Sequence, residues 1–194
     1  MIANKLMLAT LLFFVCTCMT YAQDDIFKYD MSLAMDRGDA KKALENAGFE
    51  IENDTRVSKK LRSFFVAGSI YSSISDPHDT DKSTELDFYD NRLMNTTLTV
   101  KSKDYIANTG YTNTFLSELT KIYGKHSAYE KVMSIKSWMW MAGNTKILLN
   151  SDSRKKTAKI SFIYLPLYSK KYEDNVKVKL KGKPFDPVDD MILK

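Results

Sequence analysis

Apolar positions recur along this chain at two periods, and the switches between them mark out its elements. Over 39–47, Ala40, Ala43, Leu44 and Ala47 fall at helical spacing behind Asp39, which can accept the free amides of a first turn, and Gly48 ends the run. Phe49 and Ile51 then alternate with Glu50 and Glu52, the period of two of a strand with one wet face. Over 64–74 the chain is rich in aromatic and β-branched residues, with Phe64, Val66, Ile70 and Ile74 on one parity. This predicts a long strand, in which Gly68 marks a bulge or a close approach by another element. A polar, acidic loop follows over 75–83. Leu86 and Phe88 alternate with Asp87 and Tyr89, Asp90-Asn91 tolerates the positive φ of a tight turn, and 93–100 returns as the second arm of a hairpin.

A second helix is predicted over 112–123, where Phe115, Leu116, Leu119, Ile122 and Tyr123 form one apolar stripe and Gly124 stops it. Strands follow over 132–141, 145–149 and 158–165, with Ala142-Gly143-Asn144 and Ser151-Asp152-Ser153 as the turns of a meander, and Pro166 closes the last of them. Over 169–183, Val176, Val178 and Leu180 alternate with Lys177, Lys179 and Lys181, which predicts an edge strand guarded by lysines. Residues 184–194 form a tail. Helix, glycine and strands thus occur twice in order. The expectation is an α+β fold: an antiparallel sheet of six to eight strands, built as two αβ-meander units, with two main helices on one face.

The first 22 residues stand apart. They hold one charge, Lys5, an apolar run over 6–19, and Thr20 and Ala22 three and one before the polar Gln23. These are the parts of a secretory signal peptide cleaved between Ala22 and Gln23, leaving 23–194 as a single domain, periplasmic or secreted and no longer integral to a membrane. Cys16 and Cys18 are the only cysteines, so the mature chain has none, a composition that suits a bacterial envelope more than a disulfide-built secreted domain. Of 29 basic residues the leader takes one and of 24 acids none, so the mature chain stays basic. With 44% hydrophobic and 27% charged residues, and only 7 glycines and 4 prolines, disordered and collagenous classes are excluded.

Candidate chemistry is sparse. His78 and His126 are the only histidines, and neither has metal-ligand spacing; a hydrolase would need one of them beside an acid of the 76–90 stretch and a hydroxyl. No nucleophile elbow or Gly-rich phosphate loop is present, and no catalytic residue, metal site or cofactor is assigned. Asp79, Asp81 and Ser83 alternate as the ligands that open a calcium loop do, although Thr84 stands where the curl demands glycine. Trp138 and Trp140 sit two apart, so on a strand both indoles share a face. They form either core beneath the helices or a stacking surface for a glycan or small ligand. Basic residues cluster at Lys59, Lys60 and Arg62, at Arg154, Lys155, Lys156 and Lys159, and over 170–183. In an exported protein their counterparts are anionic lipid or acidic glycan, not nucleic acid.

The element order over 36–165, with Ala47-Gly48-Phe49, Asp90-Asn91-Arg92-Leu93 and Tyr123-Gly124-Lys125 at its corners, resembles the architecture of β-lactamase-inhibitor proteins and small outer-membrane-assembly lipoproteins. This chain departs from them in having no clear lipidation cysteine, Cys16 and Cys18 lacking the small-residue pair that usually precedes one, and in having no disulfides. The resemblance implies a binding or assembly role without catalysis. The expected function is therefore that of an exported, non-catalytic binding or envelope-accessory protein, with another envelope protein as its partner and an exposed apolar patch near Trp138 and Trp140.

Overall fold

A computed structural model describes Phe27, residues 29–71, Ile74 and residues 80–180. The expected leader, the 184–194 tail, His78 and Asp79 lie outside the described residues. The strands are β1 (Ile51–Arg56), β2 (Leu61–Ala67), β3 (Asp81–Tyr89), β4 (Arg92–Lys101), β5 (Ala128–Val132), β6 (Ile135–Ala142), β7 (Thr145–Asp152) and β8 (Thr157–Tyr164). They form one antiparallel sheet in the order β1-β2-β3-β4-β8-β7-β6-β5. The helices are α1 (Arg37–Asn46), α2 (Tyr105–Tyr123) and α3 (Leu165–Leu180). The fold is the expected α+β class. A helix followed by a four-strand meander occurs twice, and the two units meet where β4 pairs with β8.

The register aligns apolar side chains across the whole sheet on one face. Val66, Thr84, Leu98, Ile160, Leu149 and Trp138 lie opposite one another in successive strands. Phe64, Leu86, Thr96, Phe162, Ile147 and Trp140 form the next row. All twelve are buried. Ala40 and Leu44 of α1, four apart, and Phe115 and Leu119 of α2, four apart, cover these rows. Each large side chain removed from water this way contributes about 1.5–3 kcal/mol. Tyr71 closes over the central strand pair, its ring 5.2 Å from Phe162 and its hydroxyl donating to Thr96 Oγ1 at 2.8 Å.

Several expectations need correction. The N-cap of α1 is Asp36, which accepts from the Gly38 amide, while Asp39 lies inside the first turn. The strand expected over 64–74 ends at Ala67, because Gly68 takes φ 97° and turns the chain onto the helix face, where Ile70 and Ile74 are buried as their parity implies. α2 starts seven residues before the expected Thr112. Its early inward positions are polar, with Asn108 and Thr112 packed on Ser151, and Thr109, Thr112 and Thr114 return their hydroxyls to carbonyls four residues back. A helix whose core stripe is asparagine and threonine is invisible to an apolar-period reading.

The largest correction concerns 169–183, which is helix over most of its length. Pro166 occupies the first turn, where a missing amide N–H is harmless, and Leu167, Lys171 and Asp174 recur at helical spacing. α3 packs on the face of the sheet opposite α1 and α2, with Leu167 against Tyr89 and Met94. Lys60 Nζ binds Asp174 at 2.7 Å, Lys170 Nζ binds Asp90 at 2.6 Å, and the Tyr89 hydroxyl donates to Asp174 at 2.6 Å. The Lys60 hydrogen bond, reinforced by Tyr89, holds the Asp174 carboxyl down at about 2.

Two outcomes follow from these contacts. A depressed carboxyl favours the docked helix above its ordinary pKa of 3.8, and that contribution is lost as pH falls toward about 2. Amide exchange over 165–177 therefore accelerates between about pH 4 and pH 2, and Asp174→Asn produces the same loosening at neutral pH while sheet protection holds. Gly124 ends α2 at φ 78°, ψ −162°, a conformation close to glycine-only, in open space. Gly124→Ala should lower unfolding stability by about 1–3 kcal/mol in chemical denaturation, from backbone strain alone.

Candidate functional site

The second unit ends in an unpaired edge. β5 pairs on one side with β6 and on the other with nothing among the described residues, and all five of its residues are exposed. The sequence analysis misses this strand: its run over 132–141 takes in Val132 alone of β5 and assigns no element to 128–131. The turn between them is Met133-Ser134, with Met133 at φ 52°, and carries none of the glycine, asparagine or aspartate that signals a hairpin.

The pleat of β5 and β6 divides their side chains between two faces. On the helix-covered face Tyr129 stands opposite Trp138, ring centroids 5.4 Å apart, and His126 lies edge-on to Trp140 at 5.9 Å. The two indoles are 8% and 1% exposed. Trp140 Nε1 donates to the Gly124 carbonyl at 2.9 Å, fastening the end of α2 to the sheet. Of the two readings of the tryptophan pair, the geometry gives the core: neither ring offers an open plane for a sugar to stack on. On the opposite face Val132, Ile135 and Met141 are exposed, and Met139 and Leu148 lie half-buried between them.

That open face differs sharply between the two units. Across β2 to β4 and β8 it is polar and internally bonded: Ser63 Oγ donates to Asp87 at 2.5 Å, Asn95 Nδ2 to Asp87 at 2.9 Å, and Thr97 Oγ1 shares a 2.9 Å bond with Ser161 Oγ. Across β5 to β7 it is uncovered, with Val132, Ile135, Met139, Met141 and Leu148 set among Glu130, Ser137, Lys146 and Asn150. A shallow cleft of about 570 Å³ beside α1 and β1, lined by Lys41, Glu45, Phe49 and Asp54 among others, mixes both characters.

The remaining sequence candidates separate clearly. Asp81 and Ser83 follow one another on the same side of the extended strand β3, about 7 Å apart, which spreads oxygens instead of curling them round one cation. Asp81 also stands opposite Lys101 and lines a cleft of about 380 Å³ with Lys101, Lys103, Arg154, Lys155 and Lys156, surroundings that repel calcium. Among the described residues no group of three or more metal-ligating side chains occurs. His126 contacts the rings of Tyr129 and Trp140 and makes no hydrogen bond to a carboxylate or hydroxyl among the described residues. Of the basic clusters, the first and third are drawn together around α3 by the Lys60–Asp174 and Lys170–Asp90 pairs. The cluster at 154–156 forms no ion pair among the described residues.

No family model matches the chain, and no curated protein matches it. One solved structure is similar to it: the crystal structure of a DUF4309 family protein, YjgB, from Bacillus subtilis subsp. subtilis str. 168. The identity is 10%, over 75% of this chain and 92% of that chain, with a TM-score of 0.43, a likeness too loose to carry an argument. No helix among the described residues is long and apolar enough to cross a membrane.

The geometry of the indoles has a direct consequence. Trp140→Ala removes a fully buried side chain and its bond to the end of α2, and should cost about 3–5 kcal/mol of unfolding stability. In the intact protein the indole emission should resist acrylamide quenching and stay unmoved by added glycans; ready quenching would contradict the core placement.

Proposed function

We propose that this protein is an exported, non-catalytic binding module of the cell envelope that engages another envelope protein through the β5 edge of its second unit. The observation that carries the reading is that edge itself: a strand with no second neighbour among the described residues, exposed along its whole length, flanked on the open face by Val132, Ile135 and Met141 and on the other face by Tyr129. A strand with free backbone donors and acceptors beside uncovered apolar side chains is suited to receive an extended segment from a partner, with main-chain bonds supplying affinity and alternate side chains supplying choice. Self-pairing is a poorer fit. A two-fold centred on Glu130 or on Lys131 sets like charges directly opposite each other, which disfavours a second copy of the same strand.

Export is supported by Lys5, the apolar run over 6–19 and the small residues Thr20 and Ala22 before Gln23. The resemblance drawn from element order to envelope binding and assembly proteins points the same way. Chemical cross-linking in intact envelopes, with capture of the tagged protein, tests the proposal. The expected result is one enriched envelope protein whose recovery falls at least severalfold for Met141→Glu and for Tyr129→Ala, both at exposed positions, with the captured chain beginning at Gln23. No enriched envelope protein, or recovery indifferent to both substitutions, would overturn it.

A further inference from the structure

One end of the sheet gathers features that neither the core nor the β5 edge uses. The last row of the register runs from Asp81 through Lys101, Thr157, Asp152 and Ile135 to Val132, so six strands finish together over roughly 24 Å. Among the described residues three connections at this end are bonded to one another. The Ser102 amide donates to the Lys156 carbonyl at 2.9 Å, and Lys156 Nζ donates to the Lys103 carbonyl at 3.1 Å, joining the lead-in of α2 to the β7–β8 turn. The Ser153 amide donates to the Ser134 carbonyl at 3.0 Å, joining that turn to the one between β5 and β6. The end is therefore a single, cross-braced surface.

Its chemistry is of two kinds. Lys101, Lys103, Arg154, Lys155 and Lys156 surround the 380 Å³ cleft, all exposed and none in an ion pair among the described residues. Among the described residues, Asp81 is the one carboxylate lining that cleft. Two nearby carboxylates are engaged by backbone amides: Asp104 accepts from the Ala107 amide, and Asp152 accepts from the amides of Arg154 and Lys155 and from Ser134 Oγ. Lys131 and Lys136 add a directly opposed pair of like charges on the adjoining strands. Beside these cations stand large apolar side chains in water. Met133 at the β5–β6 turn is 86% exposed and Ile106 in the first turn of α2 is 81% exposed, with Tyr105 and Val132 next to them.

Positive charge and solvated apolar tips on one rigid end match an interface that is negative at its surface and apolar a few ångströms below. We infer that this end of the sheet docks onto the surface of an anionic phospholipid bilayer, with the lysines and Arg154 at the headgroups and Met133 and Ile106 entering the acyl boundary. Lysines and arginines near such a surface each contribute about 1 kcal/mol, about a fivefold change in binding, and shallow apolar insertion supplies the second signal that stable peripheral attachment requires. Val132 apart, the site stands on different residues from the proposed β5 edge, and it does not depend on a protein partner.

Flotation of the purified chain with vesicles of phosphatidylcholine, with and without phosphatidylglycerol, tests the inference. Binding is expected on the phosphatidylglycerol vesicles alone and should weaken as salt is raised. The double variant Lys103→Glu with Arg154→Glu should bind roughly tenfold or more weakly, and Met133→Asp should weaken binding with the charges intact. Lys41→Glu with Lys42→Glu, both exposed on α1 away from this end, makes the same change of net charge and serves as its control. Equal binding to both kinds of vesicle, binding unchanged by the double variant and by Met133→Asp, or an equal loss with the α1 pair would each overturn the inference. Unchanged circular dichroism for every variant keeps loss of fold from imitating loss of binding.

Discussion

The pairing of β4 with β8 is the constraint on which the rest of the molecule depends. Each unit taken alone is a helix over a four-strand meander, a sheet too narrow to hold a core of this size. Joined antiparallel with Leu98 opposite Ile160 and Thr96 opposite Phe162, the two meanders bring their apolar rows into line, and α1 and α2 share one covered face. The same register sets Lys101 beside Thr157, so that the C-terminal end of β4 and the β7–β8 turn meet. One strand pair thus positions both the buried rows and the basic end of the sheet.

The two faces divide the work. On the covered face the two central rows are buried from β2 to β6, and the tryptophans belong to them, with Trp140 tying the C-terminus of α2 to β6 through the Gly124 carbonyl. The open face is closed at one corner by α3 and bonded to itself across β2 to β4 and β8, which leaves apolar surface uncovered only across β5 to β7. The proposed binding rests on uncovered surface of that kind beside an edge strand. The charged end and the edge strand are neighbours, since Val132 closes the last row of the register and Met133 follows it. A protein held at a bilayer by that end would carry its β5 edge close to the membrane plane.

Much of this architecture was legible in the chain. Both helices of the covered face, the Asp90-Asn91 hairpin, the β6–β7–β8 meander and the twofold recurrence of helix then strands all followed from period and turn chemistry. What escaped did so for identifiable reasons. The start of α2 buries Asn108 and Thr112, so its inner stripe has no apolar period. α3 alternates valine and lysine in its second half, a strand-like pattern overruled by Pro166 and by the inward placement of Leu167. The β5–β6 turn places Met133 at positive φ without any residue type that announces it. The tryptophan pair was read correctly as sharing one face, but which face the helices cover is a tertiary fact. The basic end was equally hidden, because Lys101 and Arg154 are brought together by strand order and not by sequence proximity.

The topology also carries a consequence for the order of assembly. All the other strand pairs join neighbours along the chain, and β4 with β8 alone unites residues about 60 apart. Local hairpins form in microseconds, whereas closing a loop of that length is entropically dear before its contacts repay it. The halves of this protein should therefore acquire structure early and separately, and the slow event should be their docking along the central seam. A nascent chain emerging from the ribosome would expose the first meander's open flank, β4, until the last strand arrived to cover it.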